Sequence, residues 1–364
     1  MKYTLFFIAI ALLASFANPT FSQQDGFQSA KIINGVNPAY PKNDNLRKSG
    51  VSGMDSGVVE LIYMVDKQGK PFEIMVTYSS LPKFEQEAIQ SIAKSVYKPA
   101  TFDGNPTDSV VTSVVPFKFL GSELRNNRNS TYVVVMGLHR KLPQDFQGHY
   151  NKFSKELEKD LPNERKAAHL ISKMANLRKQ TFNSLAYLSL AQFNFAHRFS
   201  SEPQQIEAIQ NMQRFDKFVD QKKQILQGET KQVLYSNLLK LEIDSGMFAE
   251  ALVDYSLLAE QEESFEKIFG STITKIHGLQ KSEQLVQRDI KLGSNGYFQL
   301  PLLKRLFVIY MVDGQVNKLK LRCDRRFSEL VFKVDAQYNI PASWGDCNLQ
   351  IIGDAGATAT LVQQ

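Results

Sequence analysis

The sequence predicts an α+β multidomain chain: a small β-β-α-β unit first, an α-helical repeat-like middle, and a small C-terminal β domain. Three observations predict it. Apolar residues pass from two-residue to helical spacing and back within residues 40–119; helical spacing then holds from about residue 144 to 292; and two-residue spacing with turn signals returns beyond 293. The chain has 364 residues, room for two or three domains, and its 43% apolar and 22% charged residues are ordinary globular material. The expected division is a signal peptide over 1–22, a flexible lead over 23–37, the first domain over 38–122, a connector over 123–143, a helical domain over 144–292 and a β domain over 293–364.

At the start, Lys2 precedes an apolar run over residues 5–16, short of the about 20 residues that span a bilayer. Thr20 and Ser22 are small residues before a cut, with Ser15 and Ala17 as a second choice. This pattern is that of a cleaved secretory signal, which places the mature chain in the periplasm. An uncleaved signal anchoring the chain in the inner membrane is the other arrangement the same run allows. No cysteine lies near the cut, which argues against a lipoprotein, and no later segment is apolar enough to span a membrane. The formal charge of +6 is mild and its Lys and Arg are spread along the chain, unlike the concentrated stripe of a nucleic-acid binder.

In the first domain, residues 58–65 alternate as a strand, and Asp66, Lys67, Gln68 and Gly69 supply a turn in which Gly69 takes positive φ. Phe72, Ile74, Val76 and Tyr78 recur every second residue and so share one face of a second strand. Pro82 suits a first helical turn, and Phe84, Ala88, Ile89, Ile92, Ala93 and Val96 follow at helical spacing until Lys98-Pro99 stops the helix. A last strand over 110–119 closes the unit. Gly50, Gly53 and Gly57 precede a strand rather than a helix, so they do not form a phosphate-cradling loop.

The Tyr40-Pro41 opening, residues 58–65, the 66–69 turn, Ser79-Ser80, Phe84 with Ala88, Tyr97-Lys98-Pro99-Ala100, Gly104-Asn105-Pro106 and Val115-Pro116-Phe117-Lys118-Phe119 fall in the order seen in TonB C-terminal domains. The segment resembles that family over residues 40–119. The resemblance implies a non-enzymatic domain that takes up the TonB box, a short extended peptide of an outer-membrane transporter. It also implies the binding residues: Asn37, Pro38 and Tyr40, with Val110, Val111, Thr112, Ser113, Val114 and Val115 of the last strand. The physics is β-augmentation, in which an edge strand's unpaired backbone groups accept another strand. Pro116 supports an edge position and removes one donor, so pairing should be best over residues 110–115. The chain departs from an energy transducer in lacking a long proline-rich linker, which argues for binding without energy coupling.

Residues 121–129 are a polar boundary, and 132–137 a short β-like run without an assigned partner. In the helical middle the clearest unit runs from Tyr235 to Tyr255: two amphipathic helices meet at Gly246, Ala251 is small where they cross, and Leu238, Phe248 and Tyr255 fill the groove. This resembles a tetratricopeptide repeat, and residues 182–199 with 204–218 form a second, poorer pair. Such repeats stack and offer a surface to a peptide or protein; a plain helical bundle is the alternative. In the β domain, residues 306–312 and 316–323 flank Asp313-Gly314 as a hairpin, with further strands over 328–334, 348–353 and 358–362. Cys323 and Cys347, an even pair in an exported chain, are expected to form a disulfide beside Trp344, with two free buried thiols as the alternative.

No catalytic constellation stands out. His139, His149, His169, His197 and His277 lack metal-ligand spacing, and neither Glu262-Glu263 nor Asp324 has an evident acid–base partner. The reading is a non-enzymatic, cofactor-free, TonB-like periplasmic protein of the cell envelope, binding transporter peptides in TonB-dependent transport. The rival is a periplasmic scaffold whose helical repeats recruit other envelope proteins, with no energy-transducing role.

Overall fold

The computed structural model describes residues 26–41, 56–117, 142–177, 180–199, 201–219, 224–259 and 263–364. The signal-peptide residues, most of the 123–143 connector and the 132–137 run lie outside these.

The first unit contains β1 (Phe27–Gln28), β2 (Lys31–Asn34), β3 (Gly57–Val65), β4 (Pro71–Ser79), a 3₁₀ turn (Pro82–Phe84), α1 (Glu85–Lys94), β5 (Val96–Lys98), β6 (Ala100–Phe102), β7 (Asn105–Thr107) and β8 (Ser109–Phe117). Its main sheet is antiparallel in the order β4-β3-β8. β3 is the central strand and is buried on both faces, as its near-continuous apolar sequence requires. The β3–β4 turn closes where Asp66 Oδ1 accepts the backbone N–H groups of Gln68 (2.9 Å) and Lys70 (2.8 Å). Gly69 has φ +80, and a Cβ there would lie 2.0 Å from the carbonyl of Tyr97, so only glycine fits. Phe84, Ala88 and Ile92 of the turn and helix pack on Val59, Leu61, Tyr63 and Val65.

Two local expectations are corrected here. The helix stops at Lys94, before Lys98-Pro99; Ser95 is extended, Ala93 is exposed, and Val96, 49% exposed, opens β5 instead of joining the helical face. Ser91 and Ser95 hold the preceding segment, with Ser91 Oγ donating to Val36 O and Ser95 Oγ accepting from Val36 N at 3.0 Å. That tether aligns the chain for β2 to pair with β5. The second correction concerns β4, where Phe72, Ile74, Val76 and Tyr78 do not share a face. Register shifts lie between the Glu60↔Tyr78 and Leu61↔Val76 pairs, and between Ile62↔Met75 and Met64↔Phe72, with Glu73 at φ 49. Each extra residue reverses the side chains beyond it. Ile74 and Val76 therefore join the core under α1, Tyr78 joins a cluster with Phe182 and Phe215, and Phe72 meets Phe327.

The middle unit is α2 (Gln144–Leu157), α3 (Glu164–Ala175), α4 (Phe182–Arg198), α5 (Glu202–Asp216), α6 (Gly228–Asp244), α7 (Phe248–Ala259) and α8 (Glu263–Lys281). Each helix packs on its chain neighbours. Caps fix the starts: Asn163 accepts from Lys166 N, and Thr181 with Ser184 forms a capping box. α6 and α7 meet at Gly246, φ +69, with Ala251 and Leu238 fully buried. Glu242, near the end of α6, is fully buried; burial and Asp254 of α7 hold its carboxyl protonated far above the usual range. Glu250 of α7 pairs with Arg288 beyond the helices.

The strands resume earlier than residue 293. β9 (Val286–Lys291) starts a sandwich completed by β10 (Tyr297–Pro301), β11 (Leu306–Asp313), β12 (Val316–Cys323), β13 (Phe327–Val331), β14 (Gln337–Asn339), β15 (Cys347–Gly353) and β16 (Thr358–Gln363). One sheet runs β10-β15-β12-β13 and the other β14-β11-β16-β9, all antiparallel. Phe307, Ile309, Leu319, Leu321, Leu349, Ile351 and Leu361 fill the space between. The expected hairpin over 306–323 is therefore overturned, because β11 and β12 lie in different sheets. Met311 at φ 52 and a register shift between Tyr310 and Asp313 bend β11, and Gly314 turns at φ +92 against Ala357, so the chain crosses the core instead of folding back. Cys323 and Cys347 are direct register partners on β12 and β15, and a disulfide joins them. Trp344 packs against the cluster that contains both.

Candidate peptide-binding site

A three-stranded sheet has two rims, and this chain treats them differently. At the β4 rim, side chains of the sandwich take up backbone carbonyls: Tyr297 OH donates to Val76 O at 2.6 Å and Arg322 Nη2 to Glu73 O at 3.4 Å. Around these, Lys320 Nζ sits 2.6 Å from the Glu73 carboxylate, Phe327 meets Phe72 edge-on at 6.0 Å, and Gln350 Nε2 contacts Met75 Sδ. Burial works against the Lys320 ammonium, but its hydrogen bonds to Glu73 and Glu329 outweigh that and raise its pKa. Burial lowers the pKa of Arg322, which is 2% exposed, and Glu73 opposes the shift. This rim is closed.

The β8 rim differs. β8 pairs with β3 over its whole length, Ser109↔Val65 to Phe117↔Gly57, and no strand pairs with its other side among the described residues. Val111 and Val115 point into the core under α1, while Val114 joins Val58, Phe182 and Phe215 on the opposite face. Thr112 is exposed; Val110, Ser113, Val114 and Pro116 are half-buried. Ser113 Oγ lies 2.7 Å from Tyr63 OH, itself 2.8 Å from Tyr97 OH, and burial raises the Tyr63 pKa. This buried hydroxyl chain braces the middle of β8 against β3 and β5.

Six of the predicted binding residues thus lie consecutively on one strand. Tyr40 reaches the far end of that strand through a stack: its ring meets Phe84 edge-on at 5.7 Å, and Phe84 stacks on Phe117 at 4.3 Å. Asn37, exposed, and Pro38, half-buried, follow the segment bonded to the last turn of α1. The residues that sequence reasoning missed are those closing the other rim. Glu73 and Lys320 are 247 residues apart, a separation at which periodicity carries no signal. The same holds for Arg214 of α5, which bonds Glu60 at 2.8 Å across 154 residues and lies 4.3 Å over the Tyr78 ring.

Residues 36–120 match the family model described as Gram-negative bacterial TonB protein C-terminal. Over these residues the chain resembles a TonB C-terminal domain. That family is a non-enzymatic protein-interaction domain of the cell envelope that engages outer-membrane proteins, so its working part is a surface rather than a cleft. Among solved structures, the solution NMR structure of the Pseudomonas aeruginosa TonB C-terminal domain is similar at 21% identity, covering 29% of this chain and 95% of that one. Its TM-score is 0.20. No curated protein matches the chain. Among the described residues no helix is long and apolar enough to cross a membrane, and no three side chains are grouped to hold a metal. Helices α4 and α5 cover the sheet face opposite α1.

Proposed function

We propose that this is an exported periplasmic protein whose TonB C-terminal domain binds the TonB box of an outer-membrane transporter by strand addition along β8. One observation carries the reading: β8 ends its sheet with no further strand among the described residues, while side chains of the sandwich occupy the β4 rim. An incoming extended segment would pair along residues 110–115, stopping short of Pro116, which has no N–H to offer. Tyr40, stacked through Phe84 on Phe117, would border the end of that groove, and Asn37 and Pro38 would flank it. In the same reading the signal peptide is cleaved, the α4/α5 and α6/α7 pairs act as tetratricopeptide-like repeats with a second protein-binding surface, and the domain serves binding without energy coupling.

The test titrates the full exported chain with N-terminal peptides of outer-membrane transporters. Saturable binding that Val110→Pro weakens by about tenfold or more is expected, because proline removes a donor and blocks the adjacent pairing. Binding indifferent to that proline, or none at all, would favour the scaffold reading.

A further inference from the structure

The two-stranded ribbon β2-β5 stands apart from the main sheet and carries a surface that strand addition at β8 does not use. Its inner face is Ile32 and Tyr97, packed on the domain core. Its outer face presents Lys31 directly opposite Lys98, and Val96 opposite Asn34. Ile33, 68% exposed, protrudes at the irregularity between these pairs, and Val36, 37% exposed, follows beside Ser95. With Val96 at 49%, three aliphatic side chains of the ribbon and its flank are exposed. The turn holding Lys67 and Lys70 abuts the other side of β5, where Tyr97 N donates to Gly69 O at 3.2 Å, and Lys94 ends the helix that leads into the ribbon.

All five lysines are exposed, and none is in an ion pair among the described residues. In the adjoining turn the Asp66 carboxylate is taken up by backbone N–H groups of Gln68 and Lys70. Like charges directly across a ladder are destabilising, so Lys31 opposite Lys98 costs stability unless an anion lies over them.

We propose that this ribbon docks on an anionic phospholipid surface, with the lysines over the headgroups and Ile33, Val36 and Val96 entering the interface. Basic residues gather at such surfaces, and the apolar area buried adds to their attraction. An acidic protein segment would satisfy the lysines, but it would leave the protruding aliphatic side chains in water unless it also supplied pockets for them. A fluid bilayer needs none.

The experiment is flotation of the full chain with phosphatidylcholine vesicles, with and without phosphatidylglycerol, over a range of salt. Recovery with the phosphatidylglycerol vesicles alone, falling as salt rises, is expected. Lys31→Glu with Lys98→Glu should weaken binding by about tenfold or more. Ile33→Ser with Val96→Ser should weaken it without altering its salt dependence, and Val110→Pro should leave it unchanged, which separates this surface from β8. Circular dichroism melts check that the variants fold. Equal recovery on neutral vesicles, wild-type binding by the double glutamate variant, or capture by a polyglutamate peptide with none by vesicles would each overturn the proposal.

Discussion

Replacing Glu73 by Gln tests whether the sandwich is locked onto the first unit. The substitution preserves shape and backbone, including the strained φ of 49, and removes one charge. Two cations face that charge: Lys320 at 2.6 Å, with its side chain 16% exposed, and Arg322 at 3.6 Å, 2% exposed. Stripping a buried pair of one partner costs about 3–5 kcal/mol. Glu73 itself is 30% exposed, and Gln retains an oxygen for Lys320, so a loss of about 1–3 kcal/mol is expected. A double-mutant cycle with Lys320→Met isolates the contact, measured by hydrogen exchange at β4 rather than by global unfolding of a multi-unit chain. The expected coupling is about 1–2 kcal/mol with faster exchange in β4. Additivity within about 0.3 kcal/mol would refute the idea that this pair closes the rim.

Glu242 should give the chain a stability that falls as pH rises above the ordinary carboxylate range. The unfolded carboxyl ionises there while burial and Asp254 keep the folded one protonated, so Glu242→Gln should flatten the slope and raise the melting temperature at mildly alkaline pH. Glu156 acts with the opposite sign. Hydrogen bonds to Lys166 and Lys159 hold it at about 2, so its contribution is complete above its ordinary value of 4.5 and is lost as pH falls toward 2. Acid titration of Glu156→Gln should show less loss over that window. Cys323→Ser with Cys347→Ser opens a loop of 24 residues and should cost the sandwich about 3 kcal/mol, read as a lower denaturant midpoint that reductant reproduces in the parent chain.

Local chemistry was legible where neighbours in sequence are neighbours in space. The Asp66–Gly69 turn, the α1 face, the glycine between α6 and α7, and the disulfide could all be read from spacing and residue type. The misreadings share a cause. Nothing in the two-residue spacing of Phe72, Ile74, Val76 and Tyr78 announces the bulges that turn the outer pair away, since those bulges serve contacts to Phe327 and Phe215 far along the chain. Asp313-Gly314 has the composition of a hairpin turn, but whether a turn returns to its own sheet or crosses to the next is decided by which strands wait on either side. At the candidate site, the strand and its proline were readable; the closure of the opposite rim was not, because Tyr297, Lys320 and Arg322 come from another unit. Lysines that look dispersed along the chain are gathered by the fold around one ribbon.

The stopper that Tyr297 and Arg322 place on β4 also governs self-association. A sheet open on both sides can recruit copies of itself without limit and grow into a filament. One blocked side ends such growth through this sheet after a single addition.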